Sequence, residues 1–554
     1  MTRRREAALV VTLAVVTTVA LTSPLAFRLG TGGRVDSPDG QFSIWNVAWV
    51  ARTVVVDPLG LFDATFFFPH RNALAFSEAN LVAGLVAVVP YWLTRNPYAA
   101  HNTVVLLSFM LSLVGTYLLV RHLTGSGPAA AVAGVLFAFC PFVFARSAHI
   151  QLLMTAGLPF SMLAFHRLVD RPGVKRGVTL GLVLAATGLA CGYYGLFTGL
   201  MVGVAILFYA AADRLWASRA YWTGIAVAVV TGGLVSGVFF LPYLEVGDTH
   251  GAFVRTLDDA RMYSADWRAY LASPARAHRW LLDWIEVWEE VLFPGFVTLA
   301  LAGIGVAVGL QNRAGSGHKS AAAPPAGRRS RAVALYALIG ELALWGSLGP
   351  SGGLFTILFE VVPGFGMLRA PARLGIVVAM SLAVLAGVGV TRLAHGRRAG
   401  WVTTGLILVA MVELAAVPYP HFDAPRFPAA YRMLARLPAG PVAEFPYFND
   451  RMDFVRHQYY ILGSTLHWRR LVNGFAELIP PDFRAEVDDL AAFPTRRALA
   501  ILKRHQTRYV LLHRQFYGDK EWAALVDRVH RFDAALQLVF SDDDAWLFEI
   551  VNRP

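Results

Sequence analysis

Asn80-Leu-Val-Ala-Gly-Leu-Val-Ala-Val-Val-Pro-Tyr-Trp-Leu93 is the apolar run on which the topology of the whole chain turns. A helix that crosses a bilayer needs roughly 17–25 apolar residues, and this run has only about 14. If it crosses, the later basic loop Arg171-Pro-Gly-Val-Lys-Arg176 falls outside the cell. If it lies along the membrane or re-enters it, every strongly basic loop falls on the cytoplasmic side. Lys and Arg hold loops on that side, so residues 80–93 are read as a surface or re-entrant helix.

On the N-terminal side, Met1-Thr-Arg-Arg-Arg-Glu6 precedes an apolar run from Ala7 to Phe27. The run is long for a signal-peptide core and shows no A-x-A cleavage site. It is expected to be an uncleaved first membrane helix, with Arg3, Arg4 and Arg5 in the cytoplasm. On the C-terminal side, further spans are expected at residues 101–120, 128–145, 151–168, 177–191, 194–212, 221–242, 293–310, 332–348, 372–392 and 401–418. Together these predict about eleven transmembrane helices. Cytoplasmic loops then fall at 121–122, 171–176, 213–219, 311–331 and 393–399. The loop 311–331 is rich in Ala, Pro, Gly and Arg and reads as a flexible linker. Residues 353–364 are apolar but short, a second partial insertion.

Composition agrees with a membrane protein. Hydrophobic residues make up 56% of the chain and charged residues 16%, with a mean hydropathy of +0.50. Soluble domains carry about 25% charged residues. The formal charge of +12 is accounted for by cytoplasmic loops. No basic stripe with interleaved aromatics points to nucleic acid. Cys140 and Cys191 lie far apart in apolar segments, so they make no disulfide framework and no Cys-based zinc site. No P-loop, dinucleotide-binding turn, H-E-x-x-H or nucleophile elbow is present.

The expected architecture is therefore mainly α and polytopic, in the inner (plasma) membrane. A transmembrane domain covers 1–418, including the outer loop 28–100 with its surface helices and the outer loop 243–292. An extracytoplasmic α/β domain covers 419–554. Its strand-like runs are Pro441–Phe445, Tyr509–Leu512 and Ala545–Val551, with helices at Arg496–Arg504 and Glu521–His530. Its size of about 135 residues is ordinary for a domain.

Several polar groups then share the outer face. Asp36-Ser-Pro-Asp39-Gly40 is an acidic turn that can act as a general base, bind a cation, or simply make Asx-type turn bonds. His70 and Arg71 could contact a phosphate. Ser77 reads as the N-cap of the 80–93 helix, with Glu78 in its first turn. Arg146 reads as a membrane anchor, while His149, followed by Gln151, can donate, accept or ligate. Arg369 and Arg373 are four residues apart and, if helical, lie on one face. Arginine suits bidentate phosphate recognition. Glu341 and Glu413 are carboxylates within apolar spans.

The order of these motifs resembles the GT-C superfamily of integral membrane glycosyltransferases, in particular YfhO-like and mannosyltransferase-like bacterial membrane proteins. The stretches that carry the likeness are Asp39-Gly-Gln-Phe-Ser-Ile-Trp45-Asn-Val-Ala-Trp49, Asp57–Asp63, Phe68-Pro69, Leu74–Glu78, Ala145–Leu153 and Pro363–Arg373. The resemblance implies a polyprenyl-phosphate-linked sugar donor, an extracytoplasmic site, and a catalytic Asp in the first outer loop. That Asp maps onto Asp39. The group has Gly before it where this chain has Pro38, which leaves Asp36 open as the base. His70, Arg71, Arg369 and Arg373 would meet the donor phosphate. Glu78, His149, Gln151 and Trp45 would line the substrate pocket. No cofactor is expected, although a divalent cation is compatible with the acids. The acceptor would be a glycan, lipid or protein. The rival classes are a transporter or flippase of lipid-linked saccharide and a non-catalytic envelope-assembly protein. A transporter would have internal repeats and charges deep in its bundle. The sequence has no fixed repeat and one mid-span carboxylate, Glu341.

Overall fold

The computed structural model describes residues 2–251, 255–314, 326–450 and 452–551. Of the expected linker 311–331, residues 315–325 lie outside them, whereas 311–314 and 326–331 are helical. The chain forms two compact units. The first comprises Met1–Arg28, Asn102–Phe239 and Val254–Pro420, and the second Leu29–His101, Phe240–Phe253 and His421–Pro554.

The first unit is helical. Helices occupy each segment read as a span, among them Arg3–Leu21, Gly157–Asp170, Val174–Ala190, Phe296–Ala314, Ala326–Ser347 and Ala399–Leu414. Among the described residues, five helices are long and apolar enough to cross a membrane. They are Pro97–Thr124, Gly127–Ala145, Gly192–Ala212, Arg219–His250 and Pro371–Leu393. The protein is thus a multi-pass membrane protein of mainly helical fold.

Gly375–Leu393 is the central helix of this unit and is buried over most of its length. It packs on Phe296–Ala314, Ala326–Ser347 and Gly127–Ala138. Its closest crossing is set by two glycines. A Cβ on Gly305 would overlap the Leu385 carbonyl, and one on Gly389 would overlap the Leu301 carbonyl. Lipid chains are as apolar as leucine, so helices in a bilayer gain from such close backbone approach. Cys140 and Cys191 are buried and unlinked. They pack as small hydrophobes.

Two carboxylates of this unit have structural partners. Glu413 receives the backbone N–H groups of Phe296 and Val297, and His278 Nε2 lies 3.1 Å from its Oε1. It caps the start of Phe296–Ala314, whose first N–H groups have no partner within the helix. Arg146, read from the sequence as a membrane anchor, instead donates to Glu290. Their side chains are only 19% and 8% exposed.

The second unit joins a helical layer to a sheet. Pro38–Val56 packs on Leu81–Thr94. A Cβ on Gly84 would overlap Val50, so glycine lets these helices touch. Asn80, not Ser77, is the N-cap of Leu81–Thr94, in a left-handed conformation at φ 51°. Asparagine tolerates that region better than most residues. Ser77 uses its carbonyl to accept the Tyr243 hydroxyl at 3.1 Å. The run 42–56, expected to lie on the membrane surface, is mostly buried within this unit, with Trp45 fully enclosed.

Two short strands, β1 (Gly32–Gly33) and β2 (Phe422–Asp423), pair antiparallel. Four more, β3 (Val442–Phe445), β4 (Tyr509–His513), β5 (Leu536–Ser541) and β6 (Ala545–Ile550), form one sheet in the order β3-β4-β6-β5. β3 and β4 run parallel and the other pairs antiparallel. β3, β4 and β6 were legible in the sequence. Helices Pro481–Ala491, Arg496–Arg504 and Asp519–His530 belong to the same unit. The first-loop segment is tied in by strand-like bonds, Phe67 N–H to Asn473 O at 3.0 Å and Phe68 N–H to Leu471 O at 2.9 Å.

Candidate functional sites

In the second unit, the acidic turn is the entry to a helix. Ser37 is its N-cap and Pro38 its first residue. Proline favours that position because its fixed φ suits a helix start and its missing N–H would have no partner there. This gives Pro38 a local reason. Asp39 sits in the first turn, where negative charge suits the helix dipole, and its side chain is exposed. Behind it the chain doubles back tightly. A Cβ on Gly40 would overlap the Arg34 carbonyl, and Gln41 Nε2 donates to Val35 O at 2.8 Å.

Asp36 sits beside an arginine. Arg34 grips both oxygens of Asp36, Nε to Oδ1 at 2.9 Å and Nη2 to Oδ2 at 3.1 Å. Such a two-pronged pair fixes the carboxylate in plane with the guanidinium. The sequence reading did not include Arg34.

Trp45 stacks between Phe42 and Trp49, with centroids 5.7 Å away on each side. Its Nε1 donates to Ser464 Oγ at 3.2 Å. It supports the helix from within. The carbonyl of Glu78 accepts from Asn46 Nδ2 at 3.1 Å, which joins the two packed helices, while the Glu78 side chain is half-buried.

His70 and Arg71 point to acids. His70 Nε2 lies 3.0 Å from Asp482 Oδ1. Arg71 is a loose, 85% exposed partner of Asp63 at 3.4 Å. Asp63 also accepts the Asn72 N–H at 2.9 Å, closing the 63–72 loop.

In the first unit, Arg369 and Arg373 are brought together, though not by a helix. Arg369 lies in irregular backbone and Arg373 in the short 3-10 turn Pro371–Leu374. Tyr193 gathers them. Its hydroxyl accepts the Arg369 backbone N–H at 3.0 Å, and the Arg373 guanidinium carbon lies 4.3 Å from its ring centre. The Arg369 guanidinium lies over Tyr263 at 5.3 Å. Arg255, whose N–H reaches the Gly366 carbonyl at 3.2 Å, is a third cation here. Burial, then the like charge of Arg369, holds it below the ordinary arginine value. Asp259 faces both arginines. The N–H and hydroxyl of Thr256 are the main reason it lies below the usual carboxylate range.

Tyr193, Tyr263 and Arg255 escaped the sequence reading. The available signal was Cys191-Gly-Tyr-Tyr-Gly195, paired tyrosines between glycines at the start of an apolar helix. Aromatic rings with a polar tip favour such a boundary. His149 is the N-cap of the single turn Ile150–Leu153, which carries Gln151. Together they mark the break before Gly157–Asp170.

No family model matches the sequence, and no curated protein does. Among solved structures, the chain is similar to the arabinofuranosyltransferase AftD from mycobacteria, with 14% identity and a TM-score of 0.61. The match covers 100% of this chain and 40% of that one, so the chain spans well under half the length of AftD. A mutant of AftD matches at 16% identity and a TM-score of 0.58, over 100% of this chain and 42% of that one. ArnT from Cupriavidus metallidurans matches more loosely, at 15% identity and a TM-score of 0.40, over 98% of each chain. At these identities the likeness is one of fold, shared with the matched part of AftD.

Proposed function

We propose that the protein transfers a sugar from a polyprenyl-phosphate-linked donor to a hydroxyl of an envelope glycan, lipid or protein, on the extracytoplasmic face. The observation that carries this reading is the gathering of Arg369 and Arg373 on Tyr193, with Arg255 beside them, in a chain of glycosyltransferase fold. Arginine forks match phosphate oxygens. In the transfer, the bond between the anomeric carbon and the lipid phosphate breaks. Negative charge then grows on the phosphate, and fixed cations stabilise it most where water is scarce. A phosphate leaves without needing a proton, so no general acid is assigned.

Asp39 is assigned to the acceptor. It takes the hydroxyl proton as that oxygen attacks the anomeric carbon, with inversion. Asp36 is assigned to building the turn, because Arg34 engages both its oxygens. His149 and Gln151 are assigned to substrate hydroxyl contacts, and Trp45 and Glu78 to support of the Asp39 helix. No metal is needed for these steps. A transporter finds no support in Glu341, whose side chain is exposed on its helix.

The test is mass spectrometry of lipid-linked sugars and envelope glycans from cells with and without the protein. The expected result is one lipid-linked sugar accumulating and one glycosylated product disappearing without it. Unchanged profiles of both would overturn the proposal.

A further inference from the structure

His70, His250 and Asp482 come from three distant parts of the sequence and meet within the second unit. One ligand atom from each lies within 4.8 Å of the other two. The hydrogen bonds of His70 make this more than proximity. Its Nδ1 lies 2.8 Å from the Phe67 carbonyl, which can only accept, so Nδ1 carries the proton. Its Nε2 then presents a lone pair, yet lies 3.0 Å from both oxygens of Asp482. A lone pair facing a carboxylate is repulsive unless a second proton or a metal cation sits between them.

His250 decides between these. An imidazolium–carboxylate pair has no use for a second imidazole. Here the His250 ring centre is 5.2 Å from that of His70, seated edge-on against Phe76 at 5.3 Å. We infer that His70, His250 and Asp482 form a binding site for a borderline divalent metal ion, with zinc the best match. Two imidazoles and a carboxylate suit zinc in ligand type. Bonds of about 2.0–2.1 Å at tetrahedral angles put ligand atoms roughly 3.3 Å apart, close to the His70–Asp482 separation. A histidine ligand with its other N–H on a backbone carbonyl is the usual outer-shell arrangement at metal sites.

The surroundings hold the three ligands. The residues before His70 are bonded to the 471–473 segment. Asn72 Nδ2 donates to Glu245 Oε2 at 2.9 Å, fixing the loop to the helix that ends at His250. Asp482 lies in the first turn of Pro481–Ala491. Its side chain is 62% exposed and that of His70 10%, so the fourth metal position opens towards Asp482. Three protein ligands with one open position allow the metal to hold water or an oxygen of a substrate.

The experiment uses the full chain in detergent, purified with a tag free of histidine and stripped with a chelator. Zinc is titrated back and counted by elemental analysis, and cobalt(II) is substituted to read the ligand field. The expected result is one zinc per chain and a tetrahedral cobalt spectrum. Affinity should fall at least about 10-fold in His250→Gln and in Asp482→Asn. Should a variant fail to fold, the cobalt spectrum of the unaltered chain still decides. No stoichiometric zinc, an octahedral oxygen-type spectrum, or full affinity in the folded double variant would overturn the site.

Discussion

The Arg373 guanidinium lies 4.3 Å from the ring centre of Tyr193, and the same tyrosine's hydroxyl accepts the Arg369 N–H. One aromatic side chain thus sets two cations. Arginine over a ring is worth about 0.5–2 kcal/mol. Tyr193→Ala should therefore raise KM for the lipid-linked donor by roughly 2- to 30-fold, with a smaller effect on KM for the acceptor. Arg373→Lys should not rescue, because an ammonium lacks the planar fork. Donor titrations in membranes check this. An unchanged donor KM in Tyr193→Ala and Arg373→Ala would remove these residues from phosphate binding.

The Arg146–Glu290 pair is mostly enclosed. Removing one partner leaves the other charge buried and uncompensated, which costs about 3–5 kcal/mol. Glu290→Ala should lower the melting temperature in detergent sharply. Replacing both residues together with Met and Leu should recover most of the loss. Equal melting of Glu290→Ala and the unaltered chain would show that the pair contributes nothing.

His457 in the second unit is fully buried. Its Nε2 lies 3.1 Å from the Phe448 carbonyl, and its Nδ1 3.3 Å from Asn473 Nδ2, a donor. The neutral ring satisfies both, while a proton on Nδ1 would face another N–H. Burial lowers its pKa from 6.5 to about 4. As pH falls below 6.5, unfolded chains take a proton that folded chains refuse. Stability should therefore decline between pH 6.5 and about 4, by up to ~1.4 kcal/mol per pH unit. Melting curves across this range should flatten in His457→Gln. An unaltered pH slope would contradict the assignment.

The helices were legible because apolar runs and basic loops are local signals. The strands β3, β4 and β6 were legible for the same reason. β5, buried only at Leu536 along Leu536–Ser541, was missed. The spacing of Arg369 and Arg373 would put them on one face only in a helix; instead Tyr193, 176 residues from Arg369, gathers them. His70 was read as a phosphate contact because its partner Asp482 lies 412 residues away. No spacing rule reaches that far. Ser77 had the right chemistry for an N-cap, but the left-handed turn at Asn80 starts the helix.

Asp39 is assigned as the base. Asp39→Asn keeps the shape of the first turn of Pro38–Val56 and removes the proton acceptor. Turnover of the lipid-linked sugar is to be measured in membranes carrying Asp39→Asn, Asp36→Asn or the unaltered chain, at matched protein levels. Loss of a general base costs typically 10²–10⁴-fold, so turnover should fall by that order in Asp39→Asn. The fall should be much smaller in Asp36→Asn, which only weakens the grip of Arg34. Full turnover in Asp39→Asn would remove Asp39 as the base, as would the larger loss falling on Asp36→Asn.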